Sequence, residues 1–133
     1  MPYLVLVEGR YRVCAYTYQF SDWTVRCDVL SFLHEKAQIK AYQGACRGYA
    51  ALFARYAEGG RQSLTAEMFH EVDRNSGIWQ FTKGDLRLLC FIHENSVILT
   101  NGYVKKGQKV DAAEVSRAKT VKDMYFLALK GAT

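Results

Sequence analysis

Residues 78–106 largely decide the fold of this chain and read Ile-Trp-Gln-Phe-Thr-Lys-Gly-Asp-Leu-Arg-Leu-Leu-Cys-Phe-Ile-His-Glu-Asn-Ser-Val-Ile-Leu-Thr-Asn-Gly-Tyr-Val-Lys-Lys. Apolar and β-branched residues are concentrated in 78–83, 86–93 and 97–105, which predicts three strands. The residues between them, Lys83-Gly84-Asp85 and Glu94-Asn95, are typical of tight turns. The stretch therefore predicts a three-stranded antiparallel meander.

Two segments on the N-terminal side of this meander have the apolar spacing of helices. Residues 25–36 and 38–58 predict a helical hairpin, whose second helix ends at Gly59-Gly60. Gly44 and Gly48 lie within that second helix, where each glycine costs about 1 kcal/mol relative to alanine. The pair therefore predicts a close contact between this helix and a neighbouring element.

The two ends of the chain complete the predicted fold. Residues 3–7 and 11–20 predict two short strands or a β-hairpin, whereas 63–77 is polar and has no clear assignment. Asp111, with Glu114 three residues later, predicts an N-cap and a capping box for a C-terminal helix. The apolar positions of that helix are Val115, Ala118, Val121, Met124 and Ala128.

This order of elements predicts an α+β fold. It consists of a small antiparallel sheet with an N-terminal helical hairpin packed on one face, and a C-terminal helix. The length of 133 residues predicts a single domain that spans residues 1–133.

The composition excludes several classes of protein. Because 50% of the residues are hydrophobic, the chain is not a disordered tail. The cysteines, at positions 14, 27, 46 and 90, lack the spacing of metal ligands, which predicts reduced core residues and no metal site. The sequence shows no signal peptide and no apolar run of about 20 residues. We therefore expect a cytoplasmic protein without a membrane partner.

The chain is basic, with a formal net charge of +5 and a pI near 9.1. Such a charge on a small domain favours nucleic acid as a partner. Much of the excess lies in residues 105–130, which include Lys105, Lys106, Lys109 and Arg117.

The predicted strand over 86–93 has two different faces. One face is apolar throughout and is expected to contact the helices, whereas the other has a cation near one end and an imidazole at the other. The first set is Leu86, Leu88, Cys90 and Ile92, and the second is Arg87, Leu89, Phe91 and His93. An arginine beside apolar neighbours is poorly solvated and suits a phosphate partner. The alternative is an ion pair with a neighbouring acid on an exposed sheet face.

Further candidate residues lie near the last predicted strand. Lys105, Lys106 and Lys109 repel one another unless an anion compensates them, so they either bind phosphate or form a solvated loop. Tyr103 either packs within the sheet or acts as a stacking residue or proton donor. His70 and His93 are the candidate general bases. His34 is expected at the surface of the first helix.

These residues carry a resemblance to a known family. The order of a strand, a strand with an arginine, a strand ending in a lysine pair and a helix resembles the RelE/ParE superfamily of toxins from toxin–antitoxin pairs. Within it, the chain is most similar to the HigB-type, phage-derived branch. The resemblance covers residues 10–129. Gln80 and Thr82 stand where the family often has Glu and Arg, and Val110 stands where it usually has Pro.

The resemblance implies a toxin that is a metal-independent endoribonuclease, needs no cofactor, and cleaves mRNA in association with the ribosome. Its expected partner is a cognate antitoxin of the helix-turn-helix type. The implied catalytic residues are Arg87, Lys83, Lys105, Lys106 and His93. The implied RNA-binding residues are Lys105, Lys106, Lys109, Tyr103 and Arg117.

Two alternatives remain open. One is a gyrase-directed, ParE-like toxin without nuclease chemistry, and the other is a catalytically inert phage-derived protein that only binds RNA or a partner. Gln80 and Thr82 favour these alternatives, because they replace charged residues of the family pattern. Arg87 and the lysine cluster favour the ribonuclease.

Overall fold

The computed structural model describes residues 1–20 and 22–131. The fold is α+β, as the sequence predicts. In chain order the elements are β1 (Tyr3–Val7), β2 (Arg12–Tyr16), β3 (Tyr18–Gln19), β4 (Val25–Arg26), α1 (Asp28–Ala37), α2 (Lys40–Gly59), β5 (Phe69–Asp73), β6 (Ile78–Lys83), β7 (Leu86–His93), β8 (Ser96–Val104) and α3 (Ala112–Gly131), with a short 3₁₀ turn at Arg61–Ser63.

The main sheet has six strands in the order β1-β2-β8-β7-β6-β5, and β3 pairs separately with β4. Its neighbouring strands are antiparallel except β2 and β8, which run parallel. The predicted antiparallel sheet is therefore mostly antiparallel and contains this one parallel pair. Parallel strands need a long crossover connection, and here the connection contains both helices of the hairpin and β5 to β7.

The predicted strands agree closely with the central sheet. The predicted segments 78–83 and 86–93 coincide with β6 and β7. The third strand, predicted over 97–105, both begins and ends one residue earlier in β8. The meander has one strand more than predicted, because β5 forms within the unassigned segment 63–77. β5 lies at the edge of the sheet and pairs only with β6. An edge strand is partly exposed to solvent, and its largely polar sequence suits that position.

Two predicted helix ends also need correction. The first helix begins at Asp28 rather than residue 25, because Val25 and Arg26 pair with β3. Asp111 caps α3 as predicted, since its Oδ1 accepts hydrogen bonds from the backbone N–H groups of Ala113 (3.0 Å) and Glu114 (3.2 Å). The predicted capping box is wrong, because the Glu114 carboxylate instead accepts a hydrogen bond from Asn101 at 3.1 Å.

The sheet is covered on both faces. The helical hairpin packs on one face over a cluster that includes Tyr49, Phe53 and Leu88. Helix α3 packs on the other face over Leu89 and Phe91. Its buried residues are Val115, Ala118, Val121 and Tyr125, so the predicted apolar stripe is correct except at Ala128, which is exposed.

The four cysteines are free thiols. Cys14 and Cys90 are buried and Cys27 and Cys46 are half-buried, and burial raises the pKa of each thiol. None of the helices in residues 1–20 and 22–131 combines the length and apolar character that crossing a bilayer requires.

The hydroxyl of Tyr49 joins α2 to the turn between β6 and β7. It lies 2.8 Å from the carbonyl oxygen of Leu86 and 3.1 Å from that of Phe81, so its proton is shared between two backbone acceptors. Tyr49 is almost fully buried, and burial raises the pKa of its phenol. This contact fixes the end of the sheet where Arg87 begins its strand.

We expect Tyr49→Phe to lower the free energy of unfolding by about 1–3 kcal/mol, because it leaves buried carbonyls without that donor. Urea denaturation would measure the change. Tyr42→Phe is the matched control, since the Tyr42 hydroxyl has no hydrogen bond among the described residues, and it should change stability by less than about 0.5 kcal/mol. Equal effects of the two substitutions would contradict the role of this contact.

Candidate functional site

The strand register aligns polar side chains across the sheet at the end of the β6–β7 turn. Thr82 pairs with Arg87, and Arg87 pairs with Tyr103. Directly paired residues point to the same face of a sheet. Thr82, Arg87 and Tyr103 therefore form one row on the face that α3 only partly covers.

A second row lies beside the first on the same face. His70 pairs with Gln80, and Gln80 pairs with Leu89, whose partner in β8 is Asn101. The sequence offers both His70 and His93 as candidate bases. It does not favour His70, because residues 63–77 have no clear assignment and the strand that carries His70 is not predicted. The register of β5 on β6 brings it into line with the site.

An irregularity in β8 places Tyr103 on this face. Leu89 pairs with Asn101 and Cys90 with Leu99, so Thr100 is an extra residue in β8. The Thr100 hydroxyl lies 3.1 Å from the Leu89 carbonyl oxygen and 2.6 Å from the Asn101 side-chain oxygen, so its one proton is shared between two acceptors. Beyond this point the alternation is shifted by one residue, which turns Gly102 towards the helical hairpin and Tyr103 towards Arg87.

These rows line an open cleft of about 400 Å³. The loop before α3 forms its other wall. The lining residues are Glu67, His70, Gln80, Thr82, Arg87, Tyr103, Lys105, Gly107, Gln108, Lys109 and Val110. The cleft therefore combines cations from a strand and a loop with an imidazole and a phenol.

Arg87 is half-buried in this cleft and is held by backbone carbonyls. Its Nη1 donates to the carbonyl oxygen of Gly84 at 2.7 Å and to that of Leu86 at 3.1 Å. Within residues 1–20 and 22–131, no carboxylate lies within 4.0 Å of its guanidinium, so the ion pair considered from the sequence is not formed. The charge of Arg87 is thus available to an anion in the cleft.

Tyr103 forms a hydrogen bond with Gln80, which occupies the position where the RelE/ParE resemblance predicts a glutamate. Its hydroxyl donates to Oε1 of Gln80 at 2.8 Å. Burial raises the pKa of Tyr103, and the Asp111 backbone N–H and the Arg87 guanidinium partly offset that rise. The phenol is therefore a neutral hydrogen-bonding group within the wall of the cleft.

His70 has an unusual environment. Its Nδ1 is buried and has no hydrogen-bond partner. Buried polar atoms are nearly always paired, so this nitrogen stands out among the described residues. The other ring nitrogen, Nε2, is the one available to a ligand.

The lysine cluster divides between the cleft and the solvent. Lys105 and Lys109 line the cleft, whereas Lys106 is exposed outside it. The backbone N–H of Lys105 donates to the carbonyl of Asp85 at 2.7 Å, which fixes the strand exit beside the β6–β7 turn.

Three residues expected at the site lie elsewhere. Lys83 points to the opposite face, where its side chain lies against Gly48 of α2. His93 is at the other end of β7, roughly 20 Å from Arg87 at the rise of an extended strand, and its Nδ1 lies 3.0 Å from the Tyr125 hydroxyl. Arg117 is exposed on α3 and forms an ion pair with Glu114 at 3.3 Å.

The described part of the chain contains no group of three or more His, Cys, Asp or Glu residues that could hold a metal ion. The polar lining of the cleft consists of cations, amide and hydroxyl groups, one imidazole and the carboxylate of Glu67.

The sheet, the helical hairpin and the C-terminal helix agree with a RelE-like fold. Residues 40–123 match the family model described as Phage derived protein Gp49-like (DUF891), and the chain belongs to this family. The family is part of the RelE-like group of toxins from type II toxin–antitoxin pairs. No curated protein matches the chain.

Proposed function

We propose that this protein is the toxin of a type II toxin–antitoxin pair and that it cleaves mRNA as a metal-independent endoribonuclease of the HigB-type branch. The observation that carries the proposal is the position of Arg87, which has no acidic partner among the described residues and lines the same cleft as His70 and Lys105. Membership of the Gp49-like family supports the toxin class. We further propose that residues 1–133 act as a single toxin domain without a cofactor.

The chemistry needs three groups around one phosphodiester. A base removes the proton of the 2′-hydroxyl, whose oxygen then attacks phosphorus. A cation stabilises the charge that develops on the phosphorus oxygens. The bond from phosphorus to the 5′-oxygen breaks, and an acid protonates that oxygen, which leaves a 2′,3′-cyclic phosphate on the other fragment.

The cleft offers one group for each task. We assign Nε2 of His70 as the base, Arg87 as the cation and the Lys105 ammonium group as the acid. Lys109 and Tyr103 would bind the RNA on either side of the scissile phosphate. This assignment replaces His93 by His70 and omits Lys83 and Arg117, because these three side chains lie away from the cleft.

The partners of the proposed toxin follow from its charge and its family. An antitoxin of the helix-turn-helix type would silence it, and the ribosome would present mRNA to the open cleft in the cytoplasm. A gyrase-directed toxin is the second candidate, because Gln80 and Thr82 place neutral groups in the cleft where the family often has charges.

Expression of the chain without an antitoxin should arrest bacterial growth and produce new mRNA 5′ ends within minutes. Primer extension on cellular mRNA would map these ends. Intact mRNA accompanied by DNA breaks would instead identify gyrase as the target. Normal growth would favour a protein that only binds RNA or a partner.

Arg87→Ala should reduce cleavage by on the order of 10²–10³, which is typical of removing one donor to a transition-state oxyanion. Arg87→Lys should recover little, because an ammonium group cannot bind two phosphate oxygens with a planar fork. Arg74→Ala is the matched control, since Arg74 is 92% exposed at the opposite end of the sheet. Single-turnover cleavage would give the rates, and urea unfolding would show that the variants fold. Full activity of a folded Arg87→Ala variant would exclude the assigned role.

Lys105→Ala combined with Lys109→Ala should flatten the salt dependence of RNA binding. Each phosphate contact to a single strand contributes roughly 0.7 to the slope of log K against log salt, so the double variant should lose about 1.4. Lys106→Ala is the internal control and should lose less, because Lys106 lies outside the cleft. An unchanged slope in the double variant would place the RNA-binding surface elsewhere.

A further inference from the structure

A second group of cations lies at the same end of the sheet as the cleft, but on the side of the helical hairpin. Lys40 and Arg47 are exposed on α2, and Lys83 is exposed at the end of β6. Within the described residues none of the three has an ion pair or a side-chain hydrogen bond. We call these three residues the helical basic surface.

Close packing between α2 and the β6–β7 turn positions this surface. A Cβ atom at Gly48 would overlap the Lys83 side chain, so glycine allows Lys83 to lie along the helix. A Cβ atom at Gly84 would lie 3.2 Å from Cβ of Ala45, which shows how near the turn is to α2. The close contact predicted at Gly48 is therefore confirmed. The prediction is wrong at Gly44, where an added Cβ atom would have no described neighbour within 4 Å.

The helical basic surface and the cleft meet at this same turn. Arg87 binds the carbonyl of Gly84 from the cleft side at 2.7 Å, and Lys105 binds that of Asp85 through its backbone N–H, also at 2.7 Å. Lys83 leaves the turn on the other face. Lys40 and Arg47 lie seven residues apart on one stripe of α2, a rise of about 10 Å. Cations thus lie on both sides of the turn and along the helix, and the exposed Asp85 is the acidic residue of the turn between them.

The opposite end of the sheet has a different charge arrangement. There, Arg74 forms an ion pair with Glu71 at 3.6 Å, and Lys119 forms one with Asp73 at 2.7 Å. Cations without acidic partners repel one another, and a polyanion relieves that repulsion by replacing their counterions. The cleft end also carries two carboxylates, Glu67 in the cleft and Asp85 in the turn, but neither forms an ion pair with the cations described here. The unpaired cations give this end the electrostatic character of a surface that binds a phosphate chain.

We propose that an RNA strand longer than the cleft continues around the β6–β7 turn, where Lys83, Arg47 and Lys40 bind its phosphates. This inference rests on the proposed function, because it extends the path of the same RNA. It also gives Lys83 a role that its position allows, since its side chain cannot share a cleft with Arg87 across the sheet. An RNA backbone presents one anion per nucleotide, which suits cations arranged along a stripe.

Two oligonucleotides of different length test the path. Fluorescence anisotropy would measure binding of labelled 2′-O-methyl RNA, which has no free 2′-hydroxyl and is not cleaved. One probe has about 5 nucleotides and fills only the cleft, and the other has about 20 and spans both surfaces. The salt concentration would vary from roughly 50 to 200 mM.

We expect Lys40→Ala combined with Arg47→Ala to reduce the salt slope for the long probe by about 1.4, and Lys83→Ala to reduce it by about 0.7. The double variant should bind the short probe as the wild type does. Arg10→Ala combined with Arg74→Ala removes the same charge at the other end of the sheet. This control should leave the slope for both probes unchanged.

Three results would overturn the inference while the proposed function stands. They are an unchanged slope for the long probe, an equal loss in the control variant, or a loss of affinity for the antitoxin alone. If the wild-type protein neither binds the probes nor cleaves cellular mRNA, the proposed function is wrong, and this inference is wrong with it.

Discussion

Strand β7 is apolar on both faces, and exposing either face to water would cost free energy. Leu88 on one side and Leu89 on the other are fully buried, and each such side chain contributes about 1.5–3 kcal/mol when it leaves water. The helical hairpin covers one face and α3 covers the other. With both faces covered, charged groups on this strand are confined to its ends. That confinement places the candidate cleft at the end of the sheet rather than at its centre.

The two ends of β7 carry different chemistry because their surroundings differ. At one end, Arg87 is held by carbonyl groups and has no acid beside it in the described chain. At the other end, His93 contacts the Tyr125 hydroxyl, lies 3.5 Å from the Glu94 carboxylate and packs against the ring of Phe126. An imidazole with these neighbours is a structural link between the sheet and α3. The arginine instead faces an open cleft.

Local patterns in the sequence predicted the central strands well, because apolar residues and turn residues act over short distances. They did not reveal β5, whose Phe69–Asp73 sequence is mostly polar and forms a strand only because β6 offers a free edge. They also missed the parallel pairing of β2 with β8, which depends on contacts far apart in the chain. Strand alternation alone predicts that Lys83 points away from the cleft. It does not predict that His70 lines the cleft, because that position depends on how β5 pairs with β6.

The extra residue in β8 means that strict alternation along this strand assigns its last residues to the wrong faces. Leu99 and Asn101 are two residues apart and would share a face in a regular strand, yet they pair with the consecutive residues Cys90 and Leu89 and face opposite sides. A regular strand of the same sequence would direct Tyr103 towards the side of Phe32, where even a Cβ atom at Gly102 would lie 2.5 Å from the Phe32 ring. The bulge at Thr100 thus decides whether these side chains assemble a cleft, and a comparison of residue types alone would not reveal it.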